Sequence, residues 1–186
     1  LVDYRATELR AVASWGKRDN HAMTVLNDKI LVLGGFYYVS VTDFRHMNDV
    51  WSSADGGSTW TQLTAAAQWS ARYRHTVSTV NNVLILCAGY GRDSSDSLTY
   101  FNDVWSSTDG ATWTQVLASA PWGLRSYHDN FVHNGVLYIT GGRNANYLND
   151  VWSTSDGSSW TELTLSAAWS PRYGHATTAV NNQFIL

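Results

Sequence analysis

The chain has 186 residues, 44% of them hydrophobic, and its 12 basic and 15 acidic side chains leave a net charge of −3. That length suits one ordinary domain, and a weakly acidic chain with only two lysines, Lys17 and Lys29, argues against nucleic acid or an anionic membrane surface as the main partner. No apolar run nears the roughly 18 residues of a membrane span, the charges scattered through residues 1–20 do not read as a signal peptide, and one cysteine, Cys87, excludes an internal disulfide.

In chain order, the stretch YRATEL at residues 4–9 reads as the last strand of a repeating unit, because Thr7-Glu8-Leu9 returns as Thr161-Glu162-Leu163. The first full unit opens at Trp15 and carries Arg18 and His21; its equivalents follow at Trp69, Arg72 and His75, at Trp122, Arg125 and His128, and at Trp169, Arg172 and His175. The remaining six tryptophans fall into two further registers, Trp51, Trp105 and Trp152, and Trp60, Trp113 and Trp160. A period near 50 residues suits one four-stranded propeller blade and exceeds that of most helical repeats. Within a unit, HTVSTV (75–80), the turn Asn81-Asn82, VLILCAG (83–89), DVWSS (103–107), the turn TDGA (108–111) and TWTQVL (112–117) predict four short strands joined by hairpins. The second strand is apolar throughout (KILVLGG, VLILCAG, VLYITGG), which is expected of a strand covered on both faces by neighbouring sheets. No amphipathic helix is predicted.

R-x-x-H, then an apolar strand ending in Gly34-Gly35, Ala88-Gly89 or Gly141-Gly142, then an aromatic strand and a tryptophan, resembles the kelch repeat over essentially the whole chain. The resemblance implies an all-β fold, a β-propeller of four-stranded antiparallel blades around a central channel. Blades are expected at 15–68, 69–121 and 122–168, with a blade end at 1–14 and a partial blade at 169–186. About three and a half blades are fewer than the roughly 4–8 of a closed propeller. The chain is therefore expected to meet further blades of the same longer chain, or a second chain. N-D-V-W and D-G-x-x-W are similar to elements of secreted and cell-surface kelch-like propellers, which leans the expected location that way.

Ser53, Asp55, Gly57, Thr59 and Trp60 form S-x-D-x-G-x-T-W, the Asp-box pattern of sialidases and other propellers. Sister copies at Asp109 and Asp156 mark it as a hairpin device, since an Asp side chain bonds nearby amides and Gly accepts positive φ. A sialidase also needs a Tyr/Glu nucleophile pair, and none stands out; the only glutamates, Glu8 and Glu162, occupy equivalent strand positions. Four histidines at blade spacing do not make a metal ring, because ligands sit about 2 Å from a metal and packed sheets about 10 Å apart. Each His is expected to satisfy backbone groups at the start of the innermost strand, and each repeat Arg to bond a carbonyl or a nearby acid. A copper radical oxidase of the galactose oxidase type, also kelch-like, needs a Cys–Tyr cross-link; Cys87 reads instead as a small buried residue. No metal, cofactor or catalytic residue is assigned.

What does not repeat is more informative. The connections between second and third strands, 36–47, 90–101 and 143–148, differ in length and sequence. They are expected to open on the same face as the R-x-x-H segments. They bring Tyr37, Tyr38, Phe44, Arg45, Tyr90, Arg92, Asp93, Tyr100, Arg143 and Tyr147, with Asp96 nearby, to that face. Aromatics with interspersed Arg and Asp suit an interface or sugar stacking, and variable segments on a rigid scaffold are where function is placed. The expectation is a non-enzymatic module binding a protein or a glycan there. The alternatives are a segment of a glycan-active or copper-radical-oxidase-type enzyme with catalytic residues outside this chain, and a purely structural module of a large extracellular or appendage assembly.

Overall fold

The computed structural model describes residues 13–40, 43–181 and 183–186; the blade end expected within residues 1–12 lies outside them. The described residues form strands and turns with no helix. β1 (Ala22–Leu26), β2 (Lys29–Tyr38), β3 (Phe44–Ser53) and β4 (Thr61–Thr64) make the first antiparallel sheet in sequence order. In the second, β5 (Arg72–Tyr73) and β6 (Thr76–Val80) both pair with β7 (Val83–Arg92), followed by β8 (Leu98–Ser107) and β9 (Thr114–Leu117). β10 (Asp129–His133), β11 (Val136–Arg143), β12 (Tyr147–Thr154) and β13 (Thr161–Thr164) make the third, and β14 (Thr178–Val180) pairs with β15 (Gln183–Ile185).

Local chemistry accounts for the hairpins. Asn27-Asp28, Asn81-Asn82 and Asn134-Gly135 all take positive φ at both positions (49° and 60°, 49° and 63°, 50° and 75°), the conformation a two-residue hairpin of right-handed twist requires. The D-G hairpins close on their own side chains. Asp55 accepts from the amide and hydroxyl of Thr59, at 2.8 and 2.6 Å, and Ser53 Oγ accepts the Gly57 amide at 2.8 Å. Asp109 and Asp156 cap their turns in the same way. These bonds to the charged form pull the carboxyls of Asp55 and Asp156 down to about 2.

The continuously apolar second strand is explained by its two neighbours. In β7, Leu84 and Leu86 join Leu31, Leu33, Trp69 and Trp113 in a core between the first two sheets. Their alternates Ile85 and Cys87 join Leu137, Ile139, Trp122 and Trp152 between the second and third. Burial pushes the Cys87 thiol well above its usual range, so it packs as an inert apolar residue. The second and third D-G hairpins also lock onto the preceding sheet: a Cβ at Gly110 would lie 2.9 Å from Leu31 Cδ2, and one at Gly157 3.2 Å from Ile85.

The repeat arginine holds each blade from within. Arg72 forks onto Asp103 (2.5 and 2.8 Å), takes the Ala88 carbonyl at 2.9 Å, and Trp105 donates to the same carboxylate. Arg18 with Asp49 and Trp51, and Arg125 with Asp150 and Trp152, repeat the arrangement. Both expected partners, a carbonyl and an acid, are therefore used, and the acid is the N-D-V-W aspartate. The histidines differ from expectation. His128 Nε2 meets the Thr76 hydroxyl at 2.8 Å and His175 Nε2 the Thr140 hydroxyl at 3.0 Å, so they bond side chains across to the preceding blade.

Candidate functional site

The variable connections are largely strand. β2–β3 runs on until Tyr38 pairs with Phe44, β7–β8 until Arg92 pairs with Leu98, and β11–β12 until Arg143 pairs with Tyr147. Only residues 39–43, 93–97 and 144–146 connect them. A β-bulge at the Gly-Gly position lets each ladder continue past the R-x-x-H segment: Gly35 lies against Asp19 O and His21, and Gly142 against Ser126 O and His128, where a Cβ would come within 2.8–2.9 Å. The extended hairpin ends therefore stand beside the R-x-x-H turns at one end of the blades.

There the aromatic side chains join into a belt. Phe36 meets Tyr38, Phe44 and Tyr73, with ring centroids 5.3, 6.3 and 4.6 Å apart; Tyr73 meets Tyr90 at 5.7 Å, and Tyr90 meets Tyr100 at 4.7 Å. On the third and fourth blades Tyr173 meets Tyr127 at 5.3 Å and Tyr147 at 4.9 Å. Two arginines bridge the halves. The Arg74 guanidinium carbon lies 3.5 Å from the Tyr127 centroid and 4.8 Å from that of Tyr73; Arg143 lies 5.3 Å from Tyr173 and donates to the Tyr100 hydroxyl at 3.5 Å.

Arg74 and Arg143 differ from the arginines that fasten the blades, and from Arg45 and Arg172, which also lack an ion pair among the described residues, in lying against tyrosine rings. Arg18, Arg72 and Arg125 each have an aspartate, and Arg92 has Asp96 at 3.5 Å. Neither Arg74 nor Arg143 has a carboxylate partner among the described residues, although the chain holds more acids than bases. Arg74 Nε is buried without an acceptor, and burial lowers its pKa from the ordinary value, with Arg143 adding repulsion. The Tyr100 hydrogen bond favours the charged form of Arg143.

The backbone beneath them is strained. The residue before the repeat histidine takes positive φ in every blade: Asn20 (51°), Arg74 (58°), Tyr127 (55°) and Gly174 (64°). Each passes a hydrogen bond to the next: Arg74 N donates to Asn20 O at 3.0 Å, Tyr127 N to Arg74 O at 3.2 Å, and Gly174 N to Tyr127 O at 2.9 Å. Asn and Gly accept this conformation readily, but Arg and Tyr do not, at about 1–2 kcal/mol each.

Of the residues singled out from sequence, Tyr38, Tyr90, Tyr100, Arg143 and Tyr147 fall in or beside this belt. Phe44, Arg45, Arg92 and Asp93 line a cleft of about 520 Å³ between the first two hairpins. The Asp93 carboxylate there also accepts the amides of Ser95 and Ser97, closing its own turn. Tyr37 alternates to the other side of its strand from Tyr38 and has no ring partner among the described residues. Sequence reasoning missed Tyr73, Arg74, Tyr127 and Tyr173, because they sit inside R-x-x-H. Their signal was the changing x positions of that motif: Asp-Asn, Tyr-Arg, Ser-Tyr and Tyr-Gly.

Stacked four-stranded antiparallel sheets, with the interior shared between successive sheets, define a β-propeller, present here in part. The chain belongs to the kelch-repeat family: the KLHDC2/KLHL20/DRC7 Kelch-repeats domain matches residues 8–186. Among solved structures it resembles the one described as "Structure of YjhT", with a TM-score of 0.74 and 18% identity over 95% of this chain and 59% of that one. Curated relatives include the N-acetylneuraminate epimerases of Shigella flexneri and of Escherichia coli strain K12, each 35% identical over 88 residues. That match takes in 47% of this chain and spans about a quarter (23%) of those relatives' length.

Proposed function

We propose that this propeller segment is a binding module, without chemistry of its own, for a carboxylate-bearing ligand, protein or glycan, held where Arg74 and Arg143 meet the tyrosine belt. The observation that carries this reading is the pair of arginines held against tyrosine rings with no acid to answer them, one of them on a strained residue. Strain of this kind collects at functional sites. A planar guanidinium suits a carboxylate, and rings on either side supply flat apolar surface for a sugar or a side chain. Tyr38, Tyr90, Tyr100 and Tyr147 would extend that surface, with Tyr37, Phe44, Arg45, Arg92 and Asp93 at its margin.

Glycan-array and peptide-library binding to the full-length protein, each with and without Arg74→Ala and Arg143→Ala, tests this. Acidic ligands are expected to dominate the hits, and either change to weaken them at least ten-fold. Hits indifferent to both substitutions would overturn the reading. The second reading is enzymatic, and the relatives' printed activity favours it: a sugar acid held by the same arginines and epimerised. Incubating the full-length protein with N-acetylneuraminate, and following its epimers by NMR, separates the two. Turnover by the wild type that is lost in Arg74→Ala would establish the enzyme.

A further inference from the structure

The cleft between the β2–β3 and β7–β8 hairpins is joined to the arginine site through one side chain, Tyr73. His46, which lines the cleft, stacks on Tyr73 with centroids 5.1 Å apart and planes at 9°, and the same tyrosine carries the Arg74 guanidinium. Phe44 stands edge-on to His46 at 5.2 Å, so the cleft wall presents aromatic surface continuous with the belt.

The polar groups of the cleft are more mixed than the two arginines of the belt. His46 Nε2 is buried without a hydrogen-bond partner. Burial, and then Arg92, lower the His46 pKa against the opposing effect of Asp96, so the ring is neutral at neutral pH and offers both a donor and an acceptor. Of the nearby charges, Arg92 pairs with Asp96 and Asp93 is held by two amides, while Arg45 and Asp43, of opposite sign, have no ion pair among the described residues. A neutral imidazole, an aromatic wall and side chains of both charges free to bond hydroxyls suit an uncharged, hydroxylated ring, and about 520 Å³ lies within the range of small-ligand sites.

The geometry points to an extended glycan as ligand: its acidic terminal sugar lies at Arg74 and Arg143, and the neutral sugar next to it lies in the cleft against Phe44 and His46. This rests on the arginine site proposed above, and adds that the protein prefers a chain end to a free monosaccharide.

Calorimetric titration of the full-length protein tests it, with free N-acetylneuraminate, with α2,3-sialyllactose, with free glucuronate, with a cellobiose chain ending in glucuronate, and with acidic peptides. For one of the two acids, the oligosaccharide is expected to bind at least ten-fold more tightly than the free acid. In His46→Ala and in Phe44→Ala, each verified as folded by circular dichroism, that ratio is expected to fall towards one. An oligosaccharide no tighter than its free acid, or a ratio that survives both substitutions, overturns the cleft assignment while the arginine site stands. Binding of acidic peptides alone, lost in Arg74→Ala, does the same. Glycan binding indifferent to Arg74→Ala overturns the arginine site and this inference with it.

Discussion

Ala88 shows what one methyl group does in this repeat. Gly34 and Gly141 hold the equivalent positions at φ 57° and 51°, and Ala88 holds 57° with a Cβ attached. At Gly34 a Cβ would meet His75 Cε1 at 2.9 Å and the Arg72 carbonyl at 3.0 Å, so glycine is required there by contact as well as by conformation. In the second blade the ring of the following histidine, His128, bonds Thr76, and the alanine is accommodated. The left-handed conformation still costs about 1–2 kcal/mol, against about 0.4–1 kcal/mol for the extra freedom glycine gives the unfolded chain. The Ala88 methyl is also fully buried, worth about 0.8 kcal/mol, so Ala88→Gly is expected to change stability by less than about 1 kcal/mol and Gly34→Ala to destabilise by more, both read from urea midpoints. The same scale limited the reading from sequence. The D-G hairpins were legible because their chemistry is local. Arg74 and Tyr127 were not, because their importance comes from partners on other blades, and their neighbours in the motif are scaffold.

At the scale of the element, the arginine inside each blade is the main polar fastening. Arg72 and Asp103 are buried, and all three guanidinium nitrogens and both carboxylate oxygens are hydrogen-bonded. Removing one partner of such a pair costs about 3–5 kcal/mol, because the other charge is left in a medium of low polarity. Arg92–Asp96, with its carboxylate 85% exposed, belongs to the class worth roughly 0–1 kcal/mol. Asp103→Asn is accordingly expected to lower stability by about 3 kcal/mol or more, and Asp96→Asn by less than about 0.5 kcal/mol, in the same denaturation assay. A similar loss from both would show that the buried fork does not hold the blade. Strand order and the two-sided apolar second strand were legible in the repeat itself. The length of the hairpins was not, since Tyr, Phe and Arg in a variable stretch read as loop until the pairing of Tyr38 with Phe44 is seen.

Across the molecule, the buried histidines tie stability to pH. His75 is lowered to about 3 by burial, then by Arg72 and His21, and His128 is lowered well below its ordinary value by burial and Arg125. Both rings bind a proton more readily in the unfolded chain than in the fold. Their stabilising contribution is thus complete above the unfolded value near 6.5 and declines as pH falls towards the folded value, near 3 for His75. Stability measured by urea denaturation is expected to fall steadily from pH 6.5 to pH 4, and less steeply in His75→Phe; a slope unchanged in that variant would show that His75 is not responsible. The chain of bonds from Asn20 through Arg74 and Tyr127 to Gly174 has a consequence of its own. Arg74 is held in its unfavourable conformation by a blade on each side, so the placement of this arginine belongs to no single repeat. A blade lifted into another scaffold would carry its sequence and its hairpins but not this arrangement of Arg74, which can be transplanted only as three consecutive repeats.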